Sequence, residues 1–419
     1  MGVKVATIWR RQVVALWLAQ LISALAFSFA LPFLPLYIQA LGVPDAREAG
    51  LWAGASSAGF SIVMATLGPI WGSVADRYGP RLMVGRAMFG GALVIGSMGL
   101  VANVYQLFGL RLLQGAITGV QAAITVLVAA IVPRERLGSS VGLLQMATFS
   151  GASAGPLLGG FVADRYGYRP AFLITGLLMI LSGAIVFAAV SEVPQLIRSA
   201  TRVGIFQALR WATASRAVLS IVTILFLLQF AATVVSPVLP LFIKELAADQ
   251  GQVASVTGLI LGLGGVFGAL SAIGAGRLAD VVGHKRIVLT AALASTLLYA
   301  PQALVRTTTQ LLGLRIGLGL FNGAMIPSTQ AIIGLATPAE RRGVAFGIAV
   351  SASSLGSAAG PLVGAAVAAA FGVRTVFVVT AALLLFASIW VARVVSDDAN
   401  GDEANRDEVN RDEVNRSDT

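Results

Sequence analysis

Long apolar runs separated by short polar connections fill most of this 419-residue chain. A helix needs about 20 apolar residues to cross a hydrocarbon layer. Runs of that length fall near 12–35, 50–74, 82–102, 106–131, 139–162 and 170–190, and again near 217–240, 253–278, 287–305, 309–333, 343–370 and 375–395. The pattern predicts twelve spanning helices, six on each side of a polar stretch. The first run follows Lys4, Arg10 and Arg11. It exceeds the apolar core of a signal peptide, about 7–15 residues, and many spans follow it, so it is expected to be a retained helix.

Composition agrees with the pattern. The chain is 57% hydrophobic and 11% charged, with a mean hydropathy of +0.85, which excludes an ordinary soluble domain. The absence of cysteine excludes disulfides, thiolate metal sites and cysteine nucleophiles. A net charge of +10 would point to nucleic acid in a soluble protein. Here the basic residues sit in short connections, so they set orientation and no nucleic-acid partner is expected. One set of connections carries Arg77, Arg81, Arg86, Arg134, Arg136, Lys285, Arg286, Arg341 and Arg342. The other carries only Arg47, Arg165, Arg169, Lys244, Arg306 and Arg374. The positive-inside rule then makes both termini cytoplasmic, in an inner or plasma membrane.

Four parts follow: a bundle at 1–190, a cytoplasmic linker at 191–216, a second bundle at 217–395 and a tail at 396–419. The linker, with Phe206 and Trp211 among four arginines, reads either as a short helix on the inner leaflet or as a basic loop. The tail repeats N-R-D-E-V with alternating charge and reads as a solvated disordered segment.

The second half echoes the first. P-F-L-P-L-Y at Pro32 returns as P-V-L-P-L-F at Pro237, and G-S-V-A-D-R-Y-G at Gly72 as G-R-L-A-D-V-V-G at Gly276. Leu110-Arg111 returns as Leu314-Arg315, Gly155-Pro156 as Gly360-Pro361, and Arg169 as Arg374, all at an offset of 204 or 205 residues. Six spans per copy give both copies one orientation. They are therefore related by a pseudo-two-fold axis along the membrane normal, with a site expected between them.

At these residues the chain resembles the major facilitator superfamily, in its twelve-span drug:proton antiporter branch. The resemblance implies an all-α membrane protein of two six-helix bundles and covers about residues 10–395. Gly72, Asp76, Arg77, Gly79 and Arg81 match the cytoplasmic loop motif between spans two and three, with Pro80 where a basic residue is usual. There Asp76 beside arginines reads as an interbundle latch, or as a loop anchor. The weaker second copy has Asp280, Lys285 and Arg286, and His284 reads as a loop residue. Leu110, Arg111, Gln114 and Gly115 match the motif of span four. An arginine inside a span costs about 2.5–3.5 kcal/mol at a helix centre. Arg111 either snorkels to the surface or takes the gating role that the resemblance implies, against groups of span one. Gly151, Gly155, Pro156, Gly159 and Gly160 fill the antiporter motif of span five, where small residues allow close helix packing and proline allows bending.

The resemblance makes spans one, four, seven and ten the cavity lining. Gln20, Gln114, Gln229 and Asn322 are therefore candidate substrate contacts, with Phe27 as an apolar wall and Gln145 and Thr148 alongside. No span interior holds Asp or Glu, so neutral, amphiphilic or anionic compounds fit better than strong cations. If protons drive transport, the titrating group is a rim carboxylate, Asp76 first and Asp164 second. The expected function is proton-coupled export of small drug-like compounds by a monomer surrounded by lipid. Import of a nutrient by the same architecture is the alternative. No catalytic residue, metal site or cofactor is expected, and nothing resembles a membrane enzyme or a sensor with an output domain.

Overall fold

The computed structural model describes residues 2–190, 216–337 and 342–394. The linker and tail expectations at 191–216 and 396–419 concern residues outside or almost wholly outside these stretches, and the side chains of Asp76 and Asp280 lie outside the description too. Among the described residues all regular structure is helical. In hydrocarbon each backbone amide must be satisfied within its own segment, which the apolar runs achieve as helices.

The first stretch runs α1 (Gly2–Ala30), a 3-10 turn at Leu31–Phe33, α2 (Leu34–Ala40), α3 (Ala46–Tyr78), α4 (Pro80–Gly85), a π turn at Arg86–Gly90 and α5 (Gly91–Met98). It continues as α6 (Val104–Ile117), α7 (Val120–Ile131), α8 (Arg134–Tyr166) and α9 (Tyr168–Ala189). The second stretch runs α10 (Arg216–Val234), α11 (Leu239–Leu246), α12 (Val253–Val282), α13 (His284–Tyr299), α14 (Thr308–Ala336), α15 (Arg342–Phe371) and α16 (Val373–Val394).

Nine helices among the described residues are long and apolar enough to cross a membrane. The three other expected spans are present as helices with a local interruption or a polar composition. The third is divided by the π turn, where Arg86 lies 3.7 Å over the Trp71 ring. The fourth breaks at Thr118-Gly119, with Gly119 at φ +139°, between α6 and α7. The fifth, α8, is an unbroken helix diluted by glycine, serine and threonine.

The sequence repeat returns as geometry. Gly79 and Gly283 turn the chain at φ +88° and +91°, and Gly167 and Gly372 both at +89°, a region that glycine enters without steric penalty. Arg169 donates to the Val101 carbonyl at 3.1 Å, and Arg374 to those of Ala303 and Val305 at 2.6 and 3.0 Å. Each arginine ties down the same turn of its own half. Buried apolar side chains form two large clusters, one from Val13 to Val190 and the other from Ile224 to Val391, the second joined by Phe33, Leu36 and Ala163.

The two halves meet through two pairs of helices, α3 with α15 and α8 with α12. One end of the molecule holds the ends of α2 and α11, where Lys244 donates to Gln39 at 2.8 Å across the halves. The opposite end is arginine-rich, with Arg77, Arg81, Lys285 and Arg286.

Candidate functional site

Span five explains its own odd composition. In α8, Gly151, Gly155 and Gly159 face α1. A side chain at Gly151 would come 2.5 Å from the Leu21 carbonyl oxygen, one at Gly155 would come 2.7 Å from that of Leu25, and Gly159 lies against the Phe29 carbonyl. The other face of α8 meets the second half, with Gly160 against the Ala254 backbone and the Pro156 carbonyl against Gly258. The helix is thus packed closely on two sides at once, which only small residues permit. The repeat reproduces the arrangement: Gly356, Gly360 and Gly364 of α15 face carbonyls of α10, and the Pro361 carbonyl lies 2.6 Å from where a side chain on Gly54 would stand.

These contacts between halves lie toward the arginine-poor end. Farther along the same helix faces the halves part. Gly142 is five turns from Gly160, and Gly68 and Gly347 are about four turns from Gly54 and Pro361. Nothing among the described residues lies within 4 Å of a side chain placed at any of these three. Among the described residues, the halves are closed at the arginine-poor end and part toward the arginine-rich end.

Asp164 seals the closed end. Its Oδ1 accepts from the Ala254 amide at 3.0 Å and its Oδ2 from the Ser255 amide at 2.6 Å. Those are among the first amides of α12, which begins at Val253. A carboxylate there meets both free donors and the positive end of the helix dipole. The donor helix belongs to the other half, so the bond spans the seam. Position 369, the repeat partner of Asp164, is Ala369, and the second half has no equivalent carboxylate. A signal for this residue lay in the sequence: V-A-D-R-Y-G occurs twice, at Val74–Gly79 and Val162–Gly167. The copies end α3 and α8 at opposite ends of the molecule, as expected of an inverted three-helix repeat nested in one half.

Where the halves part, a cavity of about 280 Å³ opens between α3 and helices α10, α14 and α15. Its polar lining is Ser61, Gln229, Gln330, Ser353, Ser354 and Ser357, beside Met64, Leu225, Ala349 and Val350. None of these described residues is charged. Gln229 donates to Ser357 Oγ at 2.9 Å, joining α10 to α15. Gln20 makes the matching bond to Thr148 Oγ1 at 3.0 Å, joining α1 to α8. Both partners shift by 209 residues between halves, one helical turn more than the repeat offset, so the two pairs sit at different depths.

The remaining sequence candidates occupy varied surroundings. Gln145 is exposed on α8. Gln114 is buried and accepts from Arg111 Nη1 at 2.5 Å, while the Arg111 guanidinium lies 4.8 Å over the Phe60 ring. Phe27 packs against Phe60 too, ring centroids 6.3 Å apart. Among the described residues, Arg111 thus finds its partners on its own helix and α3. Arg315 lies near the rings of Tyr299 and Phe377 at 5.5 and 5.9 Å. Asn322 accepts from Ser295 of α13 at 2.9 Å. Arg81 donates to the Phe187 carbonyl at 2.8 Å, and Arg77 lies 5.4 Å from the Tyr78 ring centroid. The backbone of Asp76 belongs to the last turn of α3. Among the described residues no group of three or more His, Cys, Asp or Glu is placed to hold a metal ion.

Two interlocked halves parted at one end, each carrying the same motifs, match a known family. The family model described as Major Facilitator Superfamily matches residues 16–247 and 221–415. The chain belongs to the major facilitator superfamily. It is 35% identical over 378 residues to multidrug resistance protein MdtG of Escherichia fergusonii, covering 90% of this chain and 93% of that protein. The MdtG of Salmonella arizonae is 34% identical over 382 residues, covering 91% and 95%. Among solved structures, the nucleoside transporter NupG superposes with a TM-score of 0.77 at 14% identity, covering 91% of this chain and 98% of that one. The D-xylose-proton symporter does so at 0.74 and 18%, covering 93% and 98%. At these identities the structures share the fold alone. Membership of this superfamily, with many apolar helices, makes the chain a multi-pass membrane transporter.

Proposed function

We propose that this transporter exports small amphiphilic, drug-like compounds from the cytoplasm by alternating access, in exchange for protons. The observation that carries the reading is the one-ended closure: the halves are latched at the arginine-poor end and parted at the other, with an uncharged cavity between them. The excess of arginine assigns the parted end to the cytoplasm, so this is the loading state, with both termini cytoplasmic. The relatives named multidrug resistance proteins and the filled antiporter motif of α8 support export.

The bundles at 1–190 and 217–395 move as units within surrounding lipid, and one copy suffices. Asp164 is the outer latch. Release of its hold on the α12 amides accompanies opening outward. Asp76, in the other copy of the hexapeptide, acts at the cytoplasmic end beside Arg77 and Arg81. Arg111 and the Gly151, Gly155, Pro156 and Gly159 face keep the first half rigid as it rocks. No catalytic step, cofactor or nucleic acid enters this cycle.

Inverted membrane vesicles test it. Ethidium and the neutral dye Nile red should accumulate inside energised vesicles, the neutral dye preferentially, and a protonophore should abolish uptake. Loss of both dyes from preloaded vesicles, with no uphill uptake, would instead identify an importer. Asp76→Asn should stop transport while leaving the protein folded in the membrane.

A further inference from the structure

The two seams between the halves are not equivalent, although the repeat would make them so. Ser61 of α3 corresponds to Gly265 of α12 at the repeat offset. On the α8–α12 side the seam stays shut to that depth: Gly258 meets Pro156, Gly262 meets Leu157, and a side chain at Gly265 would come 2.5 Å from Ser153 Oγ. On the α3–α15 side the seam is closed at Gly54, yet by Ser61 it has given way to the cavity. The repeat partner of Ser153 is Ala358, and the hydroxyls of α15 stand instead at Ser353, Ser354 and Ser357.

Those groups are unevenly satisfied. Ser354 donates to its own helix at Val350, 2.8 Å away, and Ser357 is taken by Gln229. Ser61, Ser353 and Gln330 make no hydrogen bond to any described residue, although all three line the cavity. Ser61 is nonetheless 92% buried. Ser61, half-buried Ser353 and exposed Gln330 thus bring open polar groups to the cavity from both halves of the molecule.

We infer that this one-sided cavity is a subsite for the uncharged, hydrogen-bonding head of the transported compound, a hydroxyl- or amide-bearing group held between Ser61 of one half and Ser353 and Gln330 of the other. The inference rests on the transporter reading above and narrows it. A quaternary cation finds no carboxylate among the described lining residues, and a carboxylate finds no cation. Only a neutral polar head matches donors and acceptors without stranding a charge. Because the head touches both halves, the subsite also couples occupancy to their relative position.

Three probes with one eight-carbon tail test this: octyl glucoside, octyltrimethylammonium and octanoate, each below its micellar concentration, added to the protein in nanodiscs. The chain has no cysteine, so Val350→Cys in the cavity wall provides a single site whose maleimide labelling reports occupancy. Octyl glucoside should protect it at about one-tenth the concentration the other two require. Ser61→Ala with Ser353→Ala should raise the protecting concentration of the glucoside about tenfold, two hydrogen bonds being lost, and leave the other two probes unchanged. Ser353→Thr, which keeps the hydroxyl, should retain most of the protection and serves as the arm that separates lost bonding from lost folding. Equal protection by all three probes, or glucoside protection indifferent to the alanines in protein with unchanged thermal unfolding, overturns the subsite. Vesicle transport is scored separately. Pumping without head selectivity rejects the subsite alone, whereas head-selective protection without pumping rejects the transport reading and leaves the subsite standing.

Discussion

Asp164 and Asp76 occupy the same place in two identical hexapeptides, yet a one-dimensional reading gives neither its partner. An acidic residue at the C-terminal end of its own helix is unfavourably placed with respect to that helix's dipole. Asp164 is accommodated because a second helix offers its positive end, through the amides of Ala254 and Ser255. Removing it leaves those amides uncapped, worth about 1–2 kcal/mol or about a five- to thirtyfold shift in the balance of states. Asp164→Ala should therefore speed the labelling of Leu241→Cys, which is buried in the closed seam, by an impermeant maleimide added to the arginine-poor side. An unchanged labelling rate would remove Asp164 from the gate. The same lesson applies to Gln20 and Gln229. Both were legible as amides inside apolar runs, but their partners Thr148 and Ser357 lie 128 residues away in sequence.

Among the elements, α8 carries the clearest agreement between composition and packing. Its glycines were readable as a close-packing face, since spacing by four residues aligns them on one side of a helix. That α8 uses a second close face, toward α12, was not readable, because Ser153, Pro156 and Gly160 share one side of the helix by their spacing but nothing in that spacing names the helix that meets them. The distinction is testable within one helix. Gly159→Val would drive a branched side chain into the Phe29 carbonyl, and overpacking of this kind costs about 1–3 kcal/mol or more. The variant should unfold several degrees earlier in detergent and transport poorly. Gly142→Ala, which faces open space on the same helix, should match the unsubstituted protein in both measurements. Equal behaviour of the two variants would contradict the packing. The interruptions at Arg86–Gly90 and Thr118-Gly119 were likewise invisible in a count of apolar residues, because hydropathy registers length and polarity but not a change in the hydrogen-bond pattern of the backbone.

At the scale of the whole molecule, closure at one end is a relation between halves, and function depends on its reversal. The Lys244–Gln39 bond marks where the ends of α11 and α2 come together. In the cysteine-free chain, Gln39→Cys with Lys244→Cys, bridged through two mixed disulfides by a short bis-methanethiosulfonate, should halt transport completely, and reduction of those disulfides should restore it. Full transport by the bridged molecule would mean that the two halves need not part there. Chain order alone determined the helical spans, the duplicated architecture, the asymmetry of basic connections and the absence of acidic residues from span interiors. The spans and the placement of charge are local properties, fixed by the length of chain that crosses hydrocarbon and by the cost of charge within it, and the duplication is a repeat written along the chain. Only the tertiary structure decided which end is shut, which seam holds the cavity and which helix Asp164 caps. Those outcomes arise where residues from different halves meet, and two nearly equivalent copies of a sequence pattern leave open which of them closes.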